Sequence, residues 1–129
     1  MSKILSALFV VLAAFTFAVA QDQNRNDDNL PSTGVAPKMI NGVGRADVRV
    51  YDEQGNPIKD AYVKLESSRT DGFFCESWNN TDARGLAGLP PLHMGNLKFK
   101  IKAKGYLSQE LIIPFGDLGQ PIRITMKHK

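Results

Sequence analysis

The chain has 129 residues, of which 43% are hydrophobic and 22% charged, and this composition is typical of one globular domain with a tail. It excludes a collagen-like repeat, a wholly disordered chain and a multi-pass membrane protein. The formal net charge is only +3, so a basic surface would require an uneven distribution of charge, and a single cysteine excludes an intramolecular disulfide.

The first 20 residues have the pattern of a cleavable signal peptide. Lys3 gives a positive start, residues 4–15 form an apolar run without charge, and Ala18-Val19-Ala20 supplies small residues at the cleavage position. The alternative is an uncleaved membrane anchor, which needs about 20 apolar residues and basic flanks. Polar residues follow from Gln21 instead. We therefore predict a secreted or periplasmic protein with no transmembrane segment after cleavage.

Residues 21–43 are predicted to form a disordered polar linker. This stretch is rich in Asn, Asp, Gln and Pro, and its few apolar residues follow neither a period of 2 nor one of 3.6. Such a segment buries too little apolar surface to offset the entropy that ordering costs. The folded domain is predicted to span residues 44–129.

Short alternating runs separated by turn residues begin after residue 44 and predict seven β-strands in an all-β sandwich or barrel. The clearest run sets apolar residues at positions 97, 99, 101 and 103 against lysines at 98, 100, 102 and 104. A period of two over eight residues indicates a strand with one buried face. The other six predicted strands lie at residues 46–51, 61–66, 73–78, 86–89, 107–115 and 122–126.

Four turn and core motifs resemble those of the carboxypeptidase regulatory-like domain. They are Asp-x-x-Gly-x-Pro-Ile at Asp52–Ile58, Ala-x-Val-x-Leu at Ala61–Leu65, Thr-Asp-x-x-Gly at Thr81–Gly85, and Ala-x-Gly-Tyr at Ala103–Tyr106. The resemblance covers about residues 44–127. It implies a single seven-stranded Greek-key β-sandwich of the transthyretin-like type. In that family the domain is usually a non-catalytic companion of a metallocarboxypeptidase, and it is common in secreted and cell-surface proteins.

The outward lysines of the clearest strand are the first candidate binding residues. They are Lys98, Lys100, Lys102 and Lys104. Consecutive members are expected about 7 Å apart on one face of the strand. Three further cations would extend this row to a basic patch for an anionic polymer if they share its sheet: Arg49, Lys64 and Arg123. The alternative is a solvated face that keeps the sandwich soluble and discourages edge pairing.

Trp78 is the second candidate binding residue. With Tyr62 and Tyr106 it could form a platform on which a sugar ring stacks, and the alternative places its ring in the core or at a sheet edge. Cys75 either pairs with another chain or is a small buried residue. Asn79-Asn80-Thr81 is a glycosylation sequon, which matters only in a eukaryotic source.

The chain is poor in side chains for catalysis or metal binding. His93 and His128 are too few for a zinc site, which takes three or four ligands, and no Gly-x-Ser-x-Gly motif occurs. Residues 52–56 lack the ligand order of a calcium loop. We therefore expect a protein that is not an enzyme and that has no metal and no cofactor.

These features together predict an exported, non-catalytic β-sandwich module that acts by binding or spacing at the cell envelope or outside the cell. The expected partner is a carbohydrate, an anionic polymer or a cell-envelope protein, and no specific nucleic acid. Two alternatives stay open. One is a small accessory subunit or hydrolase, related to carboxypeptidase-linked or hydroxyisourate hydrolase-type domains. The other is a structural role in which Cys75 or a strand edge joins chains.

Overall fold

The computed structural model describes residues 30–129; the predicted signal peptide and residues 21–29 of the predicted linker lie outside this range. The regular structure of the described part is almost entirely β, with a single 3-10 helix at Phe115–Gly119. The strands are β1 Val43–Gly44, β2 Asp47–Tyr51, β3 Tyr62–Ser68, β4 Phe74–Asn80, β5 Leu86–Gly88, β6 Leu92–His93, β7 Asn96–Lys102, β8 Gln109–Ile113 and β9 Ile122–Thr125. The prediction of an all-β protein is confirmed.

The strands of the described residues form three sheets. The largest has the order β4-β3-β7-β8 and is antiparallel throughout, and the second has the order β5-β2-β9, with β9 parallel to β2. The two-residue strands β1 and β6 pair with each other. These two strands and the 3-10 helix do not correspond to predicted elements, because two residues are too few to show an alternating pattern.

The two larger sheets share one hydrophobic core, which makes the fold sandwich-like. Alternate residues of β2, β3 and β7 point into it and are almost completely shielded from solvent: Val48, Val50, Val63, Leu65, Leu97, Phe99 and Ile101. Because side chains alternate across a strand, the intervening residues face away from this core. The inward residues predicted for these three strands are therefore confirmed.

The turn at residues 82–85 shows why its glycine is required. Gly85 has a φ of +80°, a conformation that residues with a Cβ atom rarely adopt. A Cβ atom built at this position would lie 2.6 Å from the carbonyl oxygen of Val50. The amide of Val50 also donates a 2.8 Å hydrogen bond to the carbonyl oxygen of Gly85, so the turn is tied to the adjacent strand β2.

A buried ion pair lies on the side of β2 that faces away from the core. Asp47 and Arg49 are 2% and 1% exposed, and the Nη2 and Nε atoms of Arg49 donate to the two carboxylate oxygens of Asp47 over 2.9 and 3.2 Å. The backbone amide of Thr33 donates a further 3.0 Å hydrogen bond to Asp47 Oδ2. A buried charge is tolerated only when it is paired and hydrogen-bonded, and this geometry satisfies both conditions.

Backbone hydrogen bonds join residues before Gly44 to the folded domain. Val35 and Arg45 exchange two bonds of 2.8 and 2.9 Å, and the Ser32 hydroxyl donates to the carbonyl oxygen of Gly119 over 3.1 Å. The sequence predicts a disordered linker up to residue 43, whereas Ser32 and Val35 form these contacts. Backbone pairing of this kind needs no side-chain periodicity, so the alternation of apolar residues gives no sign of it.

Replacement of Phe99 by Ala should lower the free energy of unfolding by about 3 to 5 kcal/mol, because a fully buried ring leaves a cavity in the core. Lys102→Ala, on the exposed face of the same strand, should change it by less than about 0.5 kcal/mol. Chemical denaturation of the two variants would measure the difference. A larger effect of the lysine substitution would contradict the assignment of the inward face.

Candidate functional site

The outer face of the four-stranded sheet carries four of the five predicted binding residues. Lys98, Lys100 and Lys102 point away from the core on β7, and Trp78 does so on the edge strand β4. Lys104 does not belong to this row, because β7 ends at Lys102 and Lys104 lies in the turn that follows. The alternation of lysines therefore continues in the sequence beyond the end of the strand.

Carboxylates from the neighbouring strands interrupt the expected basic surface. Lys64 Nζ lies 3.3 Å from Glu66 Oε2 and 3.3 Å from Glu76 Oε1. Lys100 Nζ lies 3.3 Å from the same Glu66 oxygen and 3.9 Å from Glu110 Oε2. These five side chains form a continuous network of alternating charge across all four strands, which we call the ion network.

Strand register explains the ion network. Lys64 stands opposite Lys100 across the β3–β7 pair, and Glu66 stands opposite Glu76 across the β3–β4 pair. Like charges directly opposite each other repel, and diagonal neighbours on the same face are still within reach of long side chains. Lys64 therefore contacts Glu66 and Glu76 one row away, and Lys100 shares Glu66 with it. Glu110 stands directly opposite Lys100 across the β7–β8 pair.

The ion network shifts the protonation equilibria of two of its members. Partial burial raises the pKa of Glu66, but hydrogen bonds from Lys64 and Lys100 outweigh this effect and hold the pKa below its usual value. Hydrogen bonds to Glu76 and Glu66 raise the pKa of Lys64 above its usual value. Both shifts favour the charged forms of Glu66 and Lys64.

Lys98 and Lys102 are outside the ion network. Neither forms an ion pair with a carboxylate of the described residues, whereas Lys64 and Lys100 each form two. Lys98 lines a shallow depression of about 160 Å³ together with Ile112 of β8, and Lys102 is exposed at the end of β7. Glu66 stands opposite half-buried Lys98 and lines the same depression, whereas Lys102 stands opposite Tyr62. Neither ammonium group would have to leave an ion pair with a described carboxylate in order to contact a ligand.

Trp78 presents its indole ring to solvent on the same sheet face, two strands away from these lysines. The side chain is 57% exposed and stands opposite Lys64, and the next row across the sheet contains Asn80, Tyr62 and Lys102. At one corner of the sheet, an aromatic ring and an amide therefore lie next to each other on β4, and Tyr62 separates that amide from the cation of Lys102. Tyr106 takes a different position, because its ring stacks on His128 with 4.4 Å between ring centroids.

The two arginines that could have enlarged the basic surface belong to the other large sheet. Arg49 is on β2, where its guanidinium is buried against Asp47, and Arg123 is on β9. Only Lys64, of the three additional cations considered, shares the sheet of the lysine row. The sequence pattern gives the faces of single strands but not the order of strands within a sheet.

The remaining candidate residues are distributed over several elements. His93 Nδ1 donates to the carbonyl oxygen of Asn41 over 2.9 Å, half-buried Cys75 stands opposite Ser67, and Asn79 Nδ2 donates to the carbonyl oxygen of Gly88 over 2.9 Å. Within residues 30–129, no three His, Cys, Asp or Glu side chains come together as metal ligands. No helix of that range is long and apolar enough to cross a membrane.

Comparison with known proteins gives a likeness of fold. No protein-family model matches the chain, and no curated protein matches it. Among solved structures, 3-chlorocatechol 1,2-dioxygenase from Rhodococcus opacus 1CP is similar to this chain with a TM-score of 0.53 and 12% identity. The match covers 95% of this chain and 77% of the dioxygenase. At this identity the likeness concerns the fold alone.

This likeness corrects the expectation that the chain is not an enzyme. The expectation came from a shortage of catalytic side chains and from a resemblance to a non-catalytic domain. A similar fold occurs in a dioxygenase, so an all-β fold of this kind is compatible with catalysis and does not exclude it. Fold and activity are separate properties, because activity depends on particular residues at a site.

Replacement of Glu66 by Gln should destabilise the fold at neutral pH, because it removes the carboxylate that Lys64 and Lys100 share. The pKa of Glu66 is lower in the folded protein than in the unfolded chain, so its carboxylate stabilises the fold above its ordinary pKa. This contribution is lost as the pH falls through the lowered pKa. The denaturation midpoints of the wild type and the variant should therefore converge in acid.

Unfolding measured from about pH 7 to about pH 3 would test this expectation. Glu110→Gln is the matched control, since Glu110 makes a single contact of 3.9 Å and its loss should have a smaller effect. A difference for Glu66→Gln that does not change with pH would show that the side chain acts through packing and not through its charge.

Proposed function

We propose that this chain is an exported β-sandwich module that binds an acidic carbohydrate polymer at the cell envelope or outside the cell. The observation that carries the proposal is the exposed indole of Trp78 on the same sheet face as Lys98 and Lys102. Export rests on the signal-peptide pattern of residues 1–20, and a secreted or periplasmic location follows from it.

The chemistry of this corner matches an acidic sugar. An indole ring offers a flat apolar surface for the C–H face of a pyranose, together with a polar N–H at its rim. Asn80 can donate to and accept from hydroxyl groups, and Lys102 supplies positive charge for a carboxylate or sulfate. Tyr62, half-buried on the adjacent strand, adds a second aromatic ring to the same corner.

The shape of the face favours an extended ligand. Small molecules are usually held in concave pockets that bury most of their surface. The depression beside Lys98 is only about 160 Å³, and the strands around it form an open sheet face. A polymer chain can lie across such a face and contact Trp78, Lys102 and Lys98 in succession, so that several weak contacts add together.

We further propose that the domain is a transthyretin-like Greek-key sandwich of the carboxypeptidase regulatory-like type. The turn geometry at two of the motifs supports this assignment. Asp52 Oδ1 accepts the amides of Gln54 and Asn56, each over 2.9 Å. Asp82 Oδ1 accepts the amides of Arg84 and Leu86 over 2.8 and 3.1 Å. Each motif aspartate therefore holds its own turn, which gives a physical reason for its place in the pattern.

Binding of the purified protein to acidic and neutral polysaccharides, at low and physiological salt, would test the proposed function. Replacement of Lys98 and Lys102 by Gln, and separately of Trp78 by Ala, should each weaken binding to an acidic polymer about tenfold, which corresponds to about 1.4 kcal/mol. Binding should also weaken as salt is added. These side chains lie outside the ion network, so the fold should be unaffected.

The matched control replaces two exposed lysines away from the face, Lys59 and Lys127, by Gln. This variant has the same net charge as the Lys98 and Lys102 double variant. If both double variants lose affinity for the acidic polymer to the same extent, the positive charge of the whole molecule is responsible for binding. The proposed binding face is then wrong. If Trp78→Ala binds like the wild type, stacking on the indole is excluded.

A further inference from the structure

Two turns of the domain expose large apolar side chains and are bonded to each other. Met39 and Ile40 in the first turn are 67% and 41% exposed, and Phe73 in the second is 67% exposed. Asn41 Nδ2 donates to the hydroxyl of Thr70 over 2.5 Å, and the amide of Thr70 donates to Asn41 Oδ1 over 3.1 Å. We call Met39, Ile40 and Phe73 the apolar tip.

The first turn is held in a fixed conformation. The amide of Gly42 donates to the carbonyl oxygen of Met39 over 2.9 Å, and Asn41 and Gly42 exchange backbone hydrogen bonds of 2.8 Å with Met94. Asn41 has a φ of +67°, in the left-handed region that Asn tolerates better than most residues with a side chain. Met39 and Ile40 are therefore exposed on a turn that backbone hydrogen bonds hold in place.

The second turn is also closed. The amide of Arg69 donates to the carbonyl oxygen of Phe73 over 2.9 Å, and the guanidinium carbon of Arg69 lies 5.5 Å from the centre of the Phe73 ring. Arg69 pairs with Asp71, so the charges of these two residues compensate each other. The phenyl ring is thus oriented by its own turn while most of its surface faces solvent.

The charge beside the apolar tip is positive. Lys38, directly before Met39, is exposed and forms no ion pair with a carboxylate of the described residues. The carboxylate of Asp71 is neutralised by Arg69. Large apolar side chains at turns, next to an unpaired cation, are the combination that lies at the interface of a bilayer with anionic headgroups.

We propose that the apolar tip inserts into the headgroup region of an anionic lipid bilayer, with Lys38 at the level of the phosphates. Met39, Ile40 and Phe73 supply the apolar surface that leaves water, and the braced turns reduce the entropy that insertion would otherwise cost. This membrane contact uses none of the residues assigned to carbohydrate binding, so it does not depend on the proposed function.

A tryptophan placed at the tip of the full chain would report insertion directly. In a Trp78→Phe background, Phe73→Trp should show a blue shift of its emission with vesicles containing phosphatidylglycerol, and quenching by spin-labelled lipid. Vesicles of phosphatidylcholine alone should give a weaker response. The position-specific signal separates the tip from any lipid contact made by the apolar residues 4–15.

Leu107→Trp in the same background is the matched control, because Leu107 is 50% exposed and lies before β8, at the end of the sheet opposite to Ser68 and Asn96. Its emission should not change with vesicles. Met39→Ser with Ile40→Ser should weaken the response of Phe73→Trp about tenfold in lipid concentration, and Lys38→Gln should weaken it for anionic vesicles only. An unchanged Phe73→Trp spectrum, or equal shifts at both positions, would overturn the proposal.

Discussion

The pairing of β3 with β7 is the constraint on which both faces of the large sheet depend. The two strands are in register over seven residue pairs, from Tyr62 opposite Lys102 to Ser68 opposite Asn96. This register buries Val63, Leu65, Phe99 and Ile101 together on one side of the sheet. Because side chains alternate, a slip of one strand by one residue would expose its own inward residues and bury its charged ones. The burial of the core thereby fixes which charges meet on the surface.

The same register decides which lysines can take part in binding. Glu66 occupies the centre of the ion network and contacts two lysines. The positive charges of Lys64 and Lys100 are therefore paired with a carboxylate in the protein without a ligand. A ligand that recruited them would have to break existing ion pairs. Lys98 and Lys102 form no ion pair with a described carboxylate, although Glu66 stands opposite Lys98, and Trp78 stands next to the row of Lys102. A row that looks uniform in the sequence is therefore divided by the structure into two kinds of lysine.

The sequence predicts the parts of this protein that depend on the period of a single strand. All-β structure, the inward residues of β2, β3 and β7, and the outward position of Lys98, Lys100 and Lys102 follow from alternation alone. It does not predict strand neighbours, so the carboxylates of Glu66, Glu76 and Glu110 beside the lysines were missed, although Glu66 is outward in the β3 pattern. It also places Arg49 on a solvent face, whereas the structure buries it against Asp47. Ion pairs across and beside strands depend on tertiary packing, which periodicity does not contain.

The ion network and the apolar tip differ in how well the isolated domain accommodates their side chains. The ion network pairs its charged groups, whereas the apolar tip exposes large apolar groups to water. The ion network satisfies its own charges, and it supports the sheet without needing a partner. The apolar tip leaves Met39 and Phe73 in water, which is a cost to the isolated domain. Large apolar side chains tend to be exposed in this way at functional positions, where contact with a partner removes them from water. Burial of the apolar tip by a bilayer would provide that compensation, and the hydrogen bonds between Asn41 and Thr70 would then serve to hold both turns ready for the same surface.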